Sequence, residues 1–360
     1  MISIAPSILA IEPQNIESIV TAVEKTKGAD CLHIDVMDGK FVPQETIFLD
    51  PKVIEIIGKT TGIPLDVHLM VENPGFYVQQ FIDAGAETLT FHYEAVDNPQ
   101  ELIRDIQTYG ARAGIALNPD TPISVIDDIL PELDMVLLMS VVPGKCGQEY
   151  IDSVTAKIIN LKTKIREKGY LADIEVDGGI KVENSYKAIN AGADILVSGS
   201  GIFSSEKPYE VIDKMEYAIL IGSDHGGMEL KNKIIGYLQA QGHPYHDIGT
   251  HNGDSCDYPD FGKEVACSIS EGRDTRGILV CGTGLGISMC ANRYEGVRAA
   301  LIYSDETARL ARDHNDANIA CFGDRTMDHD EVLKRLDIFL NTPFSEGERH
   351  IKRIKKIDTL

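Results

Sequence analysis

The sequence predicts two α/β domains: a (β/α)8 TIM barrel over residues 1–215 and an open, doubly wound parallel α/β sheet over residues 216–360. Three observations carry this expectation. A chain of 360 residues exceeds the ~250 residues at which single hydrophobic cores stop growing. Up to residue 200, eight short runs rich in Val, Ile and Leu alternate with amphipathic stretches such as NIESIVTAVEKT, the βα rhythm of a parallel sheet. Beyond the polar segment SSEKPYEVIDK, five further runs follow with helical stretches such as GMELKNKIIGYLQAQG between them, and five βα units are too few to close a barrel.

In chain order the first eight runs are SIAPSIL, CLHIDVM, LDVHLM, TLTFHYE, ARAGIAL, MVLLMSV, IEVDG and ILVSGS. Eight strands, each followed by a helix, match the barrel in number and in total length, and barrels gather their chemistry where the strands end. The ends here are polar: Ser7 on the first strand, His33 and Asp35 on the second, His68 on the third, His92 and Glu94 on the fourth, Asn118 on the fifth and Asp177 on the seventh. Alternate side chains share a strand face, so His33, Asp35 and Met37 point one way, as do Asp66, His68 and Met70. The second domain supplies YAILIGS, HPYHDIG, RGILVCG, RAALIYS and IACFGD.

Composition excludes several classes of function. Hydrophobic residues at 43% and charged residues at 25% are the balance of a soluble globular protein. With 34 basic against 56 acidic residues, a net charge of -22, the long-range field repels nucleic acid and anionic membranes alike. Apolar stretches break after about five residues, far short of the ~20 that span a bilayer. MISIAPSILAIEP has neither a basic leader nor a signal-type apolar run, so the protein reads as cytoplasmic. Seven cysteines without a C-x-x-C pair argue against a disulfide framework and a structural zinc knot. Most are expected to be buried small hydrophobes, and Cys281 stands apart by its context.

In the first domain, His33, Asp35, His68 and Asp177 come from three strands and should meet in one mouth. Two imidazoles and two carboxylates suit a divalent transition metal such as Zn²⁺, Fe²⁺ or Mn²⁺. Carboxylates facing each other across such a metal can move a proton between opposite faces of a carbon acid. The plainer alternative is that these groups cap barrel loops by hydrogen bonding. PGKCGQ, DGG and SGSG place glycine turns after strands six, seven and eight, where barrels bind phosphate.

SIAPSILA, HIDVMDGKFVP, LDVHLM, MSVVPGKCGQ and IEVDGGI, in this order, resemble ribulose-phosphate 3-epimerase over residues 1–205. The resemblance implies that His33, Asp35, His68 and Asp177 bind the metal and that Asp35 and Asp177 are the acid/base pair. It also implies that Ser7 contacts substrate, that Met37, Met70 and Met139 line the enediolate pocket, and that Gly144, Gly147, Gly178, Gly179, Gly199 and Ser200 surround phosphate. Two departures stand out: VPGKCGQ replaces the family's NPGFGGQ, and Gln44 follows FVP where the family has Asn. Cys146 should narrow the phosphate loop, and Lys145 should add a cation to it.

In the second domain the strand RGILVC runs into GTGLGIS, a turn whose N–H groups and helix-dipole end face the cysteine and lower a thiol pKa. Cys281 is therefore a candidate base, with the turn's amides available to an enediolate oxygen; an inert strand-end cysteine is the plainer alternative. A dinucleotide fingerprint with Asp305 as ribose ligand fails on spacing, because its third glycine would fall on Met289 or Ile287. His225 and His314, taken singly, could each be a satisfied histidine.

SDHGG, DYPD, CGTGLGIS, HNDAN and GERHIKR stand in the order of ribose-5-phosphate isomerase of the B type, which residues 217–357 resemble. The resemblance implies that Cys281 is the base, that Gly282, Thr283, Gly284 and Gly286 form the anion-stabilising turn, and that His314 opens the furanose ring. Asp224 and His225 would contact sugar hydroxyls, with Tyr258 near the pocket. Asn315, Arg349 and Arg353 would bind substrate and phosphate, for which guanidinium forks are suited. That family builds its site across a subunit interface, so a homo-oligomer of two or more chains is expected, with no cofactor in this domain.

Both families use D-ribulose 5-phosphate, so the combined expectation is a bifunctional pentose-phosphate enzyme. The chief alternative lengthens the sugar, as an allulose 6-phosphate 3-epimerase fused to an allose 6-phosphate isomerase. The other makes one domain a sugar-phosphate sensor that binds without turnover.

Overall fold

The eight expected strands of the first domain are formed as β1 (Ser3–Pro6), β2 (Leu32–Met37), β3 (Leu65–Met70), β4 (Thr88–His92), β5 (Arg112–Leu117), β6 (Met135–Met139), β7 (Asp173–Asp177) and β8 (Ile195–Ser198). They make one sheet in the order β1-β8-β7-β6-β5-β4-β3-β2, with each ladder parallel. Between β1 and β2 a parallel bridge joins Ser7 to His33, so the barrel is nearly closed and its seam falls beside the candidate site. The computed structural model describes residues 2–26, 29–145, 147–271 and 276–359. Cys146 lies outside the described residues.

Strands of a parallel barrel are covered on both faces, and β2 is buried at every position of LHIDVM. Its period of two nevertheless separates Leu32, Ile34 and Val36 from His33, Asp35 and Met37. The register sets the polar members against their equivalents on β3, His33 opposite Asp66 and Asp35 opposite His68. Helices return the chain between strands. The one at Pro51–Thr60 starts with proline in its first turn, and Asp50 accepts from the Lys52 N–H at 3.0 Å, satisfying an orphan donor.

The second compact unit runs from Tyr217 onward. Its strands β9 (Ile219–Ser223), β10 (Tyr245–Gly249), β11 (Gly277–Cys281), β12 (Ala299–Leu301) and β13 (Ile319–Gly323) form a parallel sheet ordered β10-β9-β11-β13-β12. Alternation sorts the core into two faces. Ile219, Ile221, Ile278, Val280, Ala320 and Phe322 pack in one cluster, while Leu220, Leu279, Cys281, Ile319 and Cys321 pack in the other. Both faces being covered makes the sheet doubly wound, as the sequence predicts. Strand order reverses between β9 and β11, and open α/β sheets bind ligands in the crevice at the carboxyl end of such a switch point.

Candidate active sites

In the barrel, Asp35 is the best-held group. Ser7 Oγ donates to its Oδ2 at 2.9 Å, while His68 Nδ1 lies 3.1 Å and His33 Nε2 3.4 Å from its Oδ1. On the far side of His33, Nδ1 is 2.6 Å from Asp66 Oδ2, which leaves Nε2 buried without a hydrogen-bond partner. His33, Asp35, His68 and Asp177 each offer one ligand atom, and these atoms lie within 4.8 Å of one another. An orphaned imidazole nitrogen converging with three further donors fits a single divalent cation, with a carboxylate behind the imidazole to orient it.

Burial raises the pKa of both carboxylates, but the charges of His33 and His68 and their hydrogen bonds outweigh it at Asp35, which is held well below the usual range. Asp177 has burial and the negative charge of Asp35 acting together, and is pushed up to about 7. His68 is lowered to about 4, mainly by burial. At His33, burial opposes the charged form, yet Asp35 and Asp66 overcome it and the pKa rises.

One layer deeper, Glu175 sits fully buried with neither carboxylate oxygen hydrogen-bonded, its Oε1 3.7 Å from His33 Nδ1. Burial and the charge of Asp66 push it up to about 8. Sequence reasoning passed over Glu175, although the period of two that selects Asp177 on β7 places Glu175 on the same face.

Ser7, Asp35, Met37, Met70, Met139 and Asp177 line one cavity. Gly144, Gly147, Gly178, Gly179, Gly199 and Ser200, from the loops after β6, β7 and β8, complete its wall, joined by Lys145 and Gln148. Gln148 donates to the carbonyls of Val142 and Lys145 at 2.7 and 3.0 Å and so folds the first of these loops. Gly178 has φ +122°, and a Cβ there would meet Val141 Cγ2 at 2.4 Å; no larger residue fits.

In the second unit, Cys281 ends β11 and Asp224 follows β9, the two neighbouring strands at the switch point. Cys281 is 4% exposed, and its Sγ accepts the Gly284 N–H at 3.1 Å. Gly284 takes φ +76° as the N-cap of the helix Leu285–Ala291, and a Cβ there would come within 2.5 Å of Leu301 Cδ1. Two residues on, the Tyr258 ring packs against Gly286. Asp224 is buried, its Oδ1 lacks a partner, and burial raises its pKa. His225 accepts the Cys256 N–H through Nδ1 at 3.2 Å. Cys321, two residues below the end of β13, is fully buried with its thiol pushed up by burial.

Arg325 was not singled out from the sequence. Its N–H donates to the Gly282 carbonyl at 3.0 Å, and its guanidinium lies over Gly226 and Gly282 beside Asp224. The one signal was FGDRT at the end of the last strand, a position where such sheets bind ligands.

His314, Asn315, Arg349 and Arg353 are not brought to Cys281 within the chain. His314 closes the helix Asp305–Asp313, which returns the chain towards the amino ends of the strands. There Asn318 donates to the Arg298 carbonyl and accepts from Gly277 N–H. The five residues of β11 separate that edge from Cys281 by roughly 13 Å or more. His314 stacks on His350 with ring centroids 4.2 Å apart, and Arg349 Nε is 3.0 Å from His350 Nε2. Arg353 is exposed on the helix Glu348–Ile357.

Two parallel α/β units, each with polar and nucleophilic side chains gathered at the carboxyl edge of its sheet, define a two-domain enzyme. Its relatives are isomerases. The Ribulose-phosphate 3 epimerase family model matches residues 3–203, and the Ribose/Galactose Isomerase family model matches residues 219–357. The ribulose-phosphate 3-epimerase of Bacillus subtilis is 44% identical over 216 residues, 60% of this chain and 98% of that protein. The chloroplastic ribulose-5-phosphate-3-epimerase of Arabidopsis thaliana is 43% identical over 213 residues, 59% of this chain and 75% of the relative. Among solved structures, a ribose 5-phosphate isomerase from Thermotoga maritima is 48% identical, covering 40% of this chain and 99% of its own, with a TM-score of 0.39. Ribose-5-phosphate isomerase B of Clostridium thermocellum is 47% identical, covering 39% and 95%, with a TM-score of 0.38. The chain belongs to the ribulose-phosphate 3-epimerase family and carries a ribose/galactose isomerase domain fused behind the barrel.

Among the described residues, no helix is long and apolar enough to cross a membrane.

Proposed function

We propose that this chain is a bifunctional pentose-phosphate enzyme, which epimerises D-ribulose 5-phosphate to D-xylulose 5-phosphate in the barrel and isomerises it to D-ribose 5-phosphate in the second domain. The observation that carries this reading is the meeting of Asp35 and Asp177 with His33 and His68 in a cavity walled by the glycine turns of three consecutive loops.

One carboxylate of the pair removes the C3 proton and the other returns a proton to the opposite face of the enediolate. A divalent cation, Zn²⁺, Fe²⁺ or Mn²⁺, held by His33, Asp35, His68 and Asp177 supplies Lewis acidity that lowers the cost of the developing charge. Ser7 fixes one oxygen of Asp35 through its 2.9 Å hydrogen bond and so orients the other. Met37, Met70 and Met139 give polarisable apolar walls that keep water from the carbanion. The amides of Gly144, Gly147, Gly178, Gly179, Gly199 and Ser200 receive the phosphate, with Lys145 adding a charge.

In the second domain the Cys281 thiolate, steadied by the Gly284 N–H, takes the proton beside the carbonyl. The amides of Gly282, Thr283, Gly284 and Gly286 stabilise the oxyanion, and Asp224, His225 and Tyr258 hold the sugar. No cofactor is assigned here. His314 opens the furanose ring, and Asn315, Arg349 and Arg353 bind substrate and phosphate. Because this second group lies at the opposite sheet edge from Cys281 of the same chain, it serves Cys281 of another copy, and the working form is a homo-oligomer of at least two chains. The setting proposed for this enzyme is the cytoplasm.

The reading is tested by assaying the purified protein with five- and six-carbon ketose phosphates. Ribulose 5-phosphate is expected to exceed allulose 6-phosphate in kcat/KM by about 10–200-fold, the range one extra carbon commands in a fitted pocket. The reverse preference would replace the pentose assignment with the hexose one, and binding without turnover at either site would make that domain a sensor. EDTA is expected to abolish epimerisation, with recovery on adding Zn²⁺, Fe²⁺ or Mn²⁺, and to leave isomerisation untouched. Epimerisation that survives complete metal removal would overturn the ligand assignment.

A further inference from the structure

Beyond the four candidate ligands, hydrogen bonds continue outward from His68 in series. His68 Nε2 is 2.9 Å from His92 Nε2, and His92 Nδ1 is 3.3 Å from Glu94 Oε2. The other oxygen of Glu94 accepts the Asn118 N–H at 2.9 Å and the Thr121 hydroxyl. Both imidazoles are fully buried, with ring centroids 5.0 Å apart, and Phe41 packs on His92 at 4.8 Å.

We propose that His92 and Glu94 are positioning residues which fix the tautomer of His68 and so select Nδ1 as the nitrogen that meets the cation. The proposal rests on the reading of His68 as a ligand. A carboxylate only accepts hydrogen bonds, and the two donors on its far oxygen keep Glu94 in that role, so the proton between Glu94 and His92 resides on His92 Nδ1. A neutral imidazole that donates from one nitrogen accepts at the other. His92 Nε2 therefore accepts, and the proton in the 2.9 Å contact belongs to His68 Nε2. His68 is left with a lone pair on Nδ1, aimed at Asp35 Oδ1 3.1 Å away. Two acceptors facing each other in a buried site are unfavourable unless positive charge lies between them. That is where the four-residue cluster would hold its cation.

His33 is turned by the same logic in the opposite sense. His33 Nδ1 keeps its proton and donates to Asp66 Oδ2 at 2.6 Å, which leaves Nε2 open. The two histidines thus present different nitrogens, set by Asp66 directly at His33 and by Glu94 through His92 at His68. The order of donors along the relay, ending on loop residues Asn118 and Thr121, ties the orientation of a buried imidazole to the loop after β5.

The test titrates metal-stripped, full-length protein with Co²⁺ by calorimetry and by visible absorption. His92→Phe keeps a ring on Phe41 but removes the acceptor; it is expected to weaken Co²⁺ binding by about 10–100-fold and to alter the absorption bands of the bound ion. His92→Gln, whose amide can accept from His68 and donate to Glu94, is expected to recover most of the affinity. Thermal midpoint and far-UV circular dichroism report whether the barrel of each variant is folded. If the phenylalanine variant does not fold, His92→Asn, too short to reach His68, takes its place against the glutamine variant. Unchanged affinity and spectrum in His92→Phe would overturn the relay, as would a His92→Gln protein that falls as far as the phenylalanine variant. Wild-type protein that binds no Co²⁺, or a His68→Phe variant that binds it normally, would instead overturn the ligand reading, and the relay with it.

Discussion

Asp177→Asn is expected to lower the epimerisation kcat by about 10²–10⁴-fold, the share that a positioned acid or base contributes, while isomerisation by the same protein stays at the wild-type rate. Asp177 is partly open to the cavity and one of two carboxylates in it, so the amide keeps volume and polarity but can neither accept nor return a proton. The loss should sit towards the upper end of that range, because the substitution also removes a candidate ligand from the four-residue cluster. Following the C3 proton by exchange with deuterated solvent separates the two contributions. A variant that still exchanges the proton but does not invert C3 has lost only one member of the pair. A rate close to wild type, with metal content unchanged, would remove Asp177 from the chemistry.

Cys281→Ser should do the converse. Isomerisation is expected to fall by about 10²–10⁴-fold with epimerisation intact, because a serine hydroxyl ionises far less readily than a thiol and is a weak base when neutral. The oxygen can still accept the Gly284 N–H that now reaches sulfur at 3.1 Å, and the side chain remains at the end of a strand buried at every position, so the fold should tolerate the change. Loss of both activities would point to a folding defect, and retention of isomerisation would return Cys281 to the inert, buried class that holds Cys321.

Much of the first site is legible in the strands themselves. A period of two on β2 and β3 puts His33, Asp35, His68 and the methionines on inner faces, and the glycine pairs after β7 and β8 mark loops that bend sharply. The order of the five later strands, however, is not written in any run of residues. Arg325 reaches Asp224 and Gly282 because β13 lies beside β11, a neighbour relation that spacing along the chain does not contain. His92 and Glu94 are likewise visible as polar strand-end residues, but their linkage to His68 depends on the lateral register of β3 and β4.

What the sequence determined by itself is local: where apolar runs make strands, which side chains share a face, where glycine lets the chain turn, and which groups could carry protons. Those properties follow from backbone periodicity and sterics within a few residues. Tertiary structure decided the rest. Glu175 and Asp66 became a buried carboxylate layer behind His33 because three strands meet at one height inside the barrel. His314 came to lie at the edge of the sheet away from Cys281 because a helix must run back before the next parallel strand can start. Those outcomes depend on distances between segments far apart in the chain, and only packing sets such distances.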